Sequence, residues 1–165
     1  MQANDVFIKM FERVQEVASN AIKGLTEEQL AMRPDGKGNS IAWMVWHISR
    51  VQDSYIAQFA DREQLWTSES WFDRFALPLD SQATGYGHTS DEVASVRASA
   101  ELLEQYLTAV IKQTVQYLGG LTADDYGEII DTSYNPPVTL GVRLVSITSD
   151  ITQHAGQIAY VRGLL

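Results

Sequence analysis

The sequence contains no cysteine. This excludes a disulfide framework, a thiolate metal ligand and a cysteine nucleophile from the chain itself. Positive charge is also scarce. Twelve lysines and arginines stand against 21 acids, for a net charge of −9 at pH 7. Nucleic acid and anionic lipid both call for a basic face, so neither partner class fits. No apolar run approaches the roughly 20 residues that span a bilayer. The start, Met1-Gln2-Ala3-Asn4-Asp5, has neither the basic residues nor the apolar run of a secretory signal. A cytoplasmic protein that touches no membrane is the expectation. Repeats and low-complexity tracts are absent as well.

What is present is an ordinary globular composition. The chain has 165 residues, 45% of them apolar, enough for one domain over 1–165 with a real core. Asn4 or Asp5 can cap a first helix, whose apolar residues Val6, Phe7, Met10, Phe11, Val14, Val17, Ala18, Ala21 and Ile22 follow helical spacing up to Gly24. Leu25 to Leu30 reads as a short turn capped by Thr26, and Arg33 to Gly38 as a loop rich in breakers. Asn39 or Ser40 opens a second helix with a core stripe of Ile41, Met44, Val45, Ile48, Gln52, Tyr55 and Phe59. Trp43, His47, Val51 and Ser54 form the stripe beside it.

Asp61 to Gly87 reads as a long connection with one helical piece near Ser70 to Phe75. Its aromatics suit a segment packed across the bundle rather than a solvated linker. Thr89 and Glu92 make a capping box for a third helix running to about Leu118, where Gly119-Gly120 stops it. A second long connection, Leu121 to Pro137, with Asp131 to Tyr134 extended, precedes a fourth helix from Thr139. Its inward stripe is Leu140, Leu144, Ile147, Ile151, His154, Ile158, Val161 and Leu165. The pattern predicts an all-α fold, a four-helix bundle with long crossover connections. The first link is short, and at least one of the later two crosses the bundle.

The fourth helix carries the unusual chemistry. On a helical wheel zeroed at Leu140, Asp150 and His154 fall near ~280° and ~320°, beside or inside an apolar stripe of roughly 300° to 40°. A carboxylate placed there needs compensation, from a cation of the protein or from a metal. Arg143, Arg162 and Arg50 are the protein cations within reach, so an Asp150–Arg or Asp150–His pair is one reading. Taken singly, His154 reads as a core histidine, His47 as an edge histidine and Asp150 as a solvated helix residue. Together they make two imidazoles and one carboxylate, a common three-ligand set with a position left open. His88 reads as a loop residue. Trp43, Trp46, Trp66 and Trp71 read as core and pocket wall, or as an aromatic binding surface.

The segments Asn39-Ser40-Ile41-Ala42-Trp43-Met44-Val45-Trp46-His47-Ile48 and Asp150-Ile151-Thr152-Gln153-His154-Ala155-Gly156-Gln157-Ile158 resemble the DinB-like (YfiT-like) metal-binding superfamily. The likeness covers essentially the whole chain, including Gly85-Tyr86-Gly87-His88-Thr89. It implies a four-helix bundle, a homodimer, and a metal site of one histidine from the second helix and a His-x-x-x-His pair from the fourth. Those positions fall on His47, Asp150 and His154. Asp150 stands where histidine is usual. The mycothiol-dependent maleylpyruvate isomerase branch also has a carboxylate there, as glutamate. Ala155 stands where arginine is frequent.

The resemblance further implies zinc or nickel as the divalent metal, with a low-molecular-weight thiol of the mycothiol or bacillithiol type as cosubstrate. The reaction implied is detoxifying transfer of that thiol to an electrophilic small molecule, with Trp43, Tyr86 and Gln157 contacting thiol or substrate. Two other readings stay open: a metal-dependent hydrolase or isomerase, and a non-catalytic bundle with a vestigial metal site.

Overall fold

The computed structural model describes residues 2–165. Helix α1 spans Ala3–Ile22 and buries the predicted stripe at Phe11, Val14, Ala18, Ala21 and Ile22. Its start lies slightly earlier than the sequence indicates. Gln2 is the cap, and Asp5 acts from the first turn, its Oδ2 accepting the Gln2 N–H at 2.8 Å. The short helix α2, Glu27–Leu30, is capped by Thr26 as expected.

Helix α3, Ile41–Phe59, is capped by Ser40, whose hydroxyl accepts the Trp43 N–H at 3.1 Å. It is apolar nearly all round in its first half, where Ile41 to Arg50 are all buried. Such a helix belongs at the centre of a fold. It packs against α7, Ala100–Gly119, and α8, Leu140–Arg162, and α1 packs on the same two helices. The four long helices therefore form a bundle in which α1 and α3 share one diagonal and α7 and α8 the other.

The predicted crossover exists between α7 and α8. The first link also runs across a diagonal, from α1 to α3, although it is the short one. The connection after α3 holds two short helices, α4 (Leu65–Ser68) and α5 (Trp71–Phe75), where the sequence pointed only to the second. The predicted third helix is in fact two. Helix α6, Ser90–Ser95, starts at the Thr89–Glu92 capping box but ends where Val96 turns extended. The backbone straightens through 96–99, and Ser99 caps α7 afresh by accepting the Leu102 N–H. Between α7 and α8 lies a two-stranded antiparallel hairpin, β1 (Ile129–Asp131) and β2 (Val138–Thr139). Only Asp131 of the predicted extended segment 131–134 belongs to it. Leu165 is exposed rather than inward.

The long connection after α3 is fastened by buried polar groups. Asp53 of α3 caps α4: its two oxygens accept the Leu65 and Trp66 N–H groups at 2.9 and 2.8 Å, and Tyr106 Oη donates to it at 2.9 Å. Burial pushes the Asp53 carboxyl above its ordinary range, while these three donors and Arg50 pull it down. Arg50, fully buried, donates to the carbonyls of Ala83 and Ser81 and to Gln64 Oε1, and lies 4.6 Å over the Trp66 ring. Its charge is balanced by Asp53 at 3.7 Å. One turn of α3 thus pins residues 64 and 81–83, which fixes the neighbouring Thr84.

Candidate metal centre

His47 lies on α3, one turn before Arg50, and is buried. Its Nδ1 is 2.5 Å from the Thr84 carbonyl oxygen. A carbonyl only accepts, so Nδ1 carries the proton and Nε2 presents its lone pair inward. The ring stacks on Trp43, 4.6 Å between centroids and 13° between planes. Burial pushes the His47 pKa down, as do His154 and His88. The Thr84 carbonyl and Asp150 raise it, without reversing the direction. A neutral imidazole is the form that ligates metal.

Gly85 makes this packing feasible. Its φ is +98°, and a Cβ built there would lie 2.5 Å from His47 Nδ1 and 3.0 Å from Trp43 Cζ2. No side chain fits, and the left-handed backbone favours glycine in any case.

Helix α8 brings Asp150 and His154 to the same point, one turn apart as the wheel indicates. Asp150 Oδ2 is 3.8 Å from His47 Nε2, and Asp150 Oδ1 is 3.7 Å from His154 Nε2. The two imidazoles meet edge to face at 4.9 Å. One ligand atom from each of His47, Asp150 and His154 lies within 4.8 Å of the other two. His154 Nδ1 is 2.9 Å from Gln157 Oε1, so its Nε2 is also left free.

These residues fit a divalent cation, on two observations. The Nε2–carboxylate separations are too long for hydrogen bonds. Asp150 Oδ2 is sealed from solvent with no hydrogen-bond partner, a costly arrangement for a carboxylate oxygen unless a cation satisfies it. The alternative, an Asp150–arginine pair, is not what the fold contains. Among the described residues no arginine pairs with Asp150: Arg50 pairs with Asp53, Arg143 makes one contact, to Asp131 at 2.9 Å, and Arg162 donates to the Lys23 carbonyl. Both histidines have an oxygen acceptor on Nδ1, the outer-shell arrangement that orients ligating imidazoles.

The three residues expected to contact thiol or substrate are placed differently. Tyr86 borders a cavity of about 230 Å³ that opens onto His47 and Asp150, and its side chain is almost wholly exposed. Trp43 is buried against the rings of His47 and His154. Gln157 holds His154 and faces a separate surface depression with Pro34, Met44 and Tyr160. Sequence reading missed the rest of the cavity wall, chiefly Tyr55, Arg143 and Ile147. Their spacing along α3 and α8 carried the signal, since 143 and 147 share a face of α8 with Asp150 and His154. His88 is a loop residue, as the sequence indicates; its Nδ1 accepts the Trp43 Nε1–H at 3.2 Å and its ring stacks on Trp46.

Comparison with known proteins agrees with this architecture. A crystal structure described as the conserved protein of locus from Enterococcus faecalis superposes with a TM-score of 0.92 at 31% identity, covering 98% of this chain and 96% of that one. No curated protein matches. The model of the mycothiol-S-transferase family matches residues 6–165. The chain therefore belongs to the mycothiol S-transferase family.

Proposed function

We propose that this protein transfers a low-molecular-weight thiol of the mycothiol or bacillithiol type to an electrophilic small molecule, at a divalent metal held by His47, Asp150 and His154. The observation that carries this reading is the Asp150 carboxylate set between two imidazoles with free Nε2 atoms, its partnerless Oδ2 toward His47 and its Oδ1 toward His154. Zinc or nickel suits a ligand set of two imidazoles and one carboxylate. When bound, such a metal supplies Lewis acidity that lowers the pKa of a thiol toward neutrality.

The chain's own residues set the stage for that chemistry. Thr84 and Gln157 hold the two imidazoles in one tautomer and one orientation. Val51, Tyr55 and Ile147 give the adjoining cavity an apolar wall that suits the carbon skeleton of an electrophile. Tyr86 stands at its mouth. With no cysteine available, the sulfur must come from the cosubstrate. In the reaction the thiol gives its S–H proton to solvent and a new S–C bond forms; a halide ion leaves, or an epoxide C–O bond breaks and its oxygen is protonated, or an enone takes the sulfur at its β-carbon and a proton at its α-carbon.

A second copy of the chain is part of this proposal. The outer face between α1 and α8 carries an apolar groove of about 550 Å³ lined by Val6, Met10, Val14, Val17, Ala155 and Ala159. Val6 and Met10 are 43% and 40% exposed there.

The test is loading with zinc or nickel, removal of excess, and elemental analysis, followed by product analysis of electrophile turnover with and without thiol. About one metal per chain, lost in His47→Ala, and turnover that requires the thiol are expected. A protein that takes up no metal after loading sinks the proposal. Turnover that ignores the thiol moves the assignment to a hydrolase or isomerase.

A further inference from the structure

We propose that Arg143 is the anchor of a carboxylate subsite in the cavity beside the metal ligands, so that one of the two reactants carries a carboxylate at the end remote from its reacting atom. This deepens the thiol-transfer reading and rests on it.

Arg143 lies on α8 two turns before Asp150, about 10 Å along the helix axis, and on the same face. Both line the cavity of about 230 Å³, with His47 between α3 and the loop of Thr84. The guanidinium is held rather than loose. Asp131 Oδ2 accepts from Nη2 at 2.9 Å, and Asp131 is itself fixed because its Oδ1 accepts from the Ser133 N–H and hydroxyl at 2.9 and 2.6 Å. The rings of Tyr55 and Tyr134 lie 5.5 and 5.9 Å from the guanidinium carbon.

That single bond to Asp131 is the only hydrogen bond Arg143 makes among the described residues, so most of its five N–H donors remain for a ligand. A positioned planar fork with free donors, at the end of a mostly apolar slot, is the arrangement that binds carboxylate. Among the described residues no second lysine or arginine lines the cavity, Asp150 lies at its other end, and Asp131 already contacts the guanidinium. A singly charged carboxylate therefore fits better than a phosphate dianion. The ligand spans the slot, its carboxylate at Arg143 and its sulfur or electrophilic carbon toward His47 and Asp150.

The test separates the subsite from the reaction. Binding of para-toluate and of the neutral para-toluamide, neither of which can react, is measured by NMR titration with and without zinc. Wild-type protein is expected to favour para-toluate by about tenfold or more. Arg143→Gln is expected to abolish the preference. The double variant Arg143→Gln/Asp131→Asn, which leaves no unpaired carboxylate, gives the same readout if the single variant folds poorly. Equal binding of the two probes by wild type, or a preference that survives loss of Arg143, overturns the subsite.

Turnover then identifies which reactant carries the group. In one arm para-(mercaptomethyl)benzoate is compared with its amide as thiol, and in the other para-(chloromethyl)benzoate with its amide as electrophile. The arm whose KM rises in Arg143→Gln names the source. A para-toluate preference without any thiol-dependent turnover leaves the subsite standing and removes the transfer reaction. Turnover without the preference does the reverse.

Discussion

At the scale of single residues, the demands fall on atoms that never touch a substrate. Gly85 has no side chain because His47 occupies the place where one would go. Gly85→Ala is therefore expected to displace the imidazole and weaken metal binding about 10- to 100-fold, the cost usual for disturbing an outer-shell partner. Competition with a chromogenic chelator measures it. Thr84 holds His47 through its backbone oxygen, so Thr84→Ala is expected to leave metal affinity nearly unchanged. That contrast separates backbone positioning from side-chain chemistry.

The pairing of Asp150 with His154 was legible in the sequence because helix periodicity puts them on one face, and the structure brings His47 beside them. Their partners Thr84 and Gly85 were not. They sit in an irregular loop whose path is decided by buried Arg50 and Asp53, and no local pattern reports such a long-range pairing.

At the scale of elements, the polar turn of α3 is the most vulnerable feature. Asp53→Ala removes the cap of α4 and leaves Arg50 charged, fully buried and unpaired. A loss of about 3–5 kcal/mol is expected, read from urea unfolding. The hairpin responds to pH through Asp131. Its carboxyl is held below the usual range, first by the Ser133 hydroxyl, then by the Ser133 N–H, with Arg143 adding to both. A depressed carboxylate stabilises the fold above its unfolded pKa near 4, and that contribution disappears as the pH falls through the lower folded value. Asp131→Asn should accordingly make stability less sensitive to acid below about pH 4 than in wild type, as urea midpoints across that range would show.

The long helices were readable from their stripes. The break at 96–99 was not, because Val96 is a buried apolar residue at helical spacing between Val93 and Ala100, so the stripe runs through the break. Only Ser99, one of many surface serines, marks the restart. The hairpin was missed because strands of three and two residues are too short to show an alternation.

At the scale of the whole molecule, two linkages are expected. A ligand that binds only the folded state stabilises it by RT ln(1 + [L]/Kd), about 2.7 kcal/mol at a hundredfold excess over Kd. Zinc loading should therefore raise the thermal midpoint, and His154→Ala should erase the rise, both visible by calorimetry. The second linkage is to self-association. Met10→Glu places a charge in the α1–α8 groove, and sedimentation should then report a monomer where wild type reports a dimer. Unchanged mass in the variant would remove that face from consideration. Net charge predicted none of this, since a value of −9 speaks to partners and solubility but not to which face is apolar.

The placement of the ligands on α3 and α8 also has a consequence for biosynthesis. His47 and the Asp150–His154 pair are separated by more than half of the chain. A ribosome that has released α1, α3 and α7 has produced one histidine of the set and no cluster. The cluster therefore comes into being only when α8 emerges and docks, so under the proposed function metal uptake follows the folding of the bundle instead of guiding it.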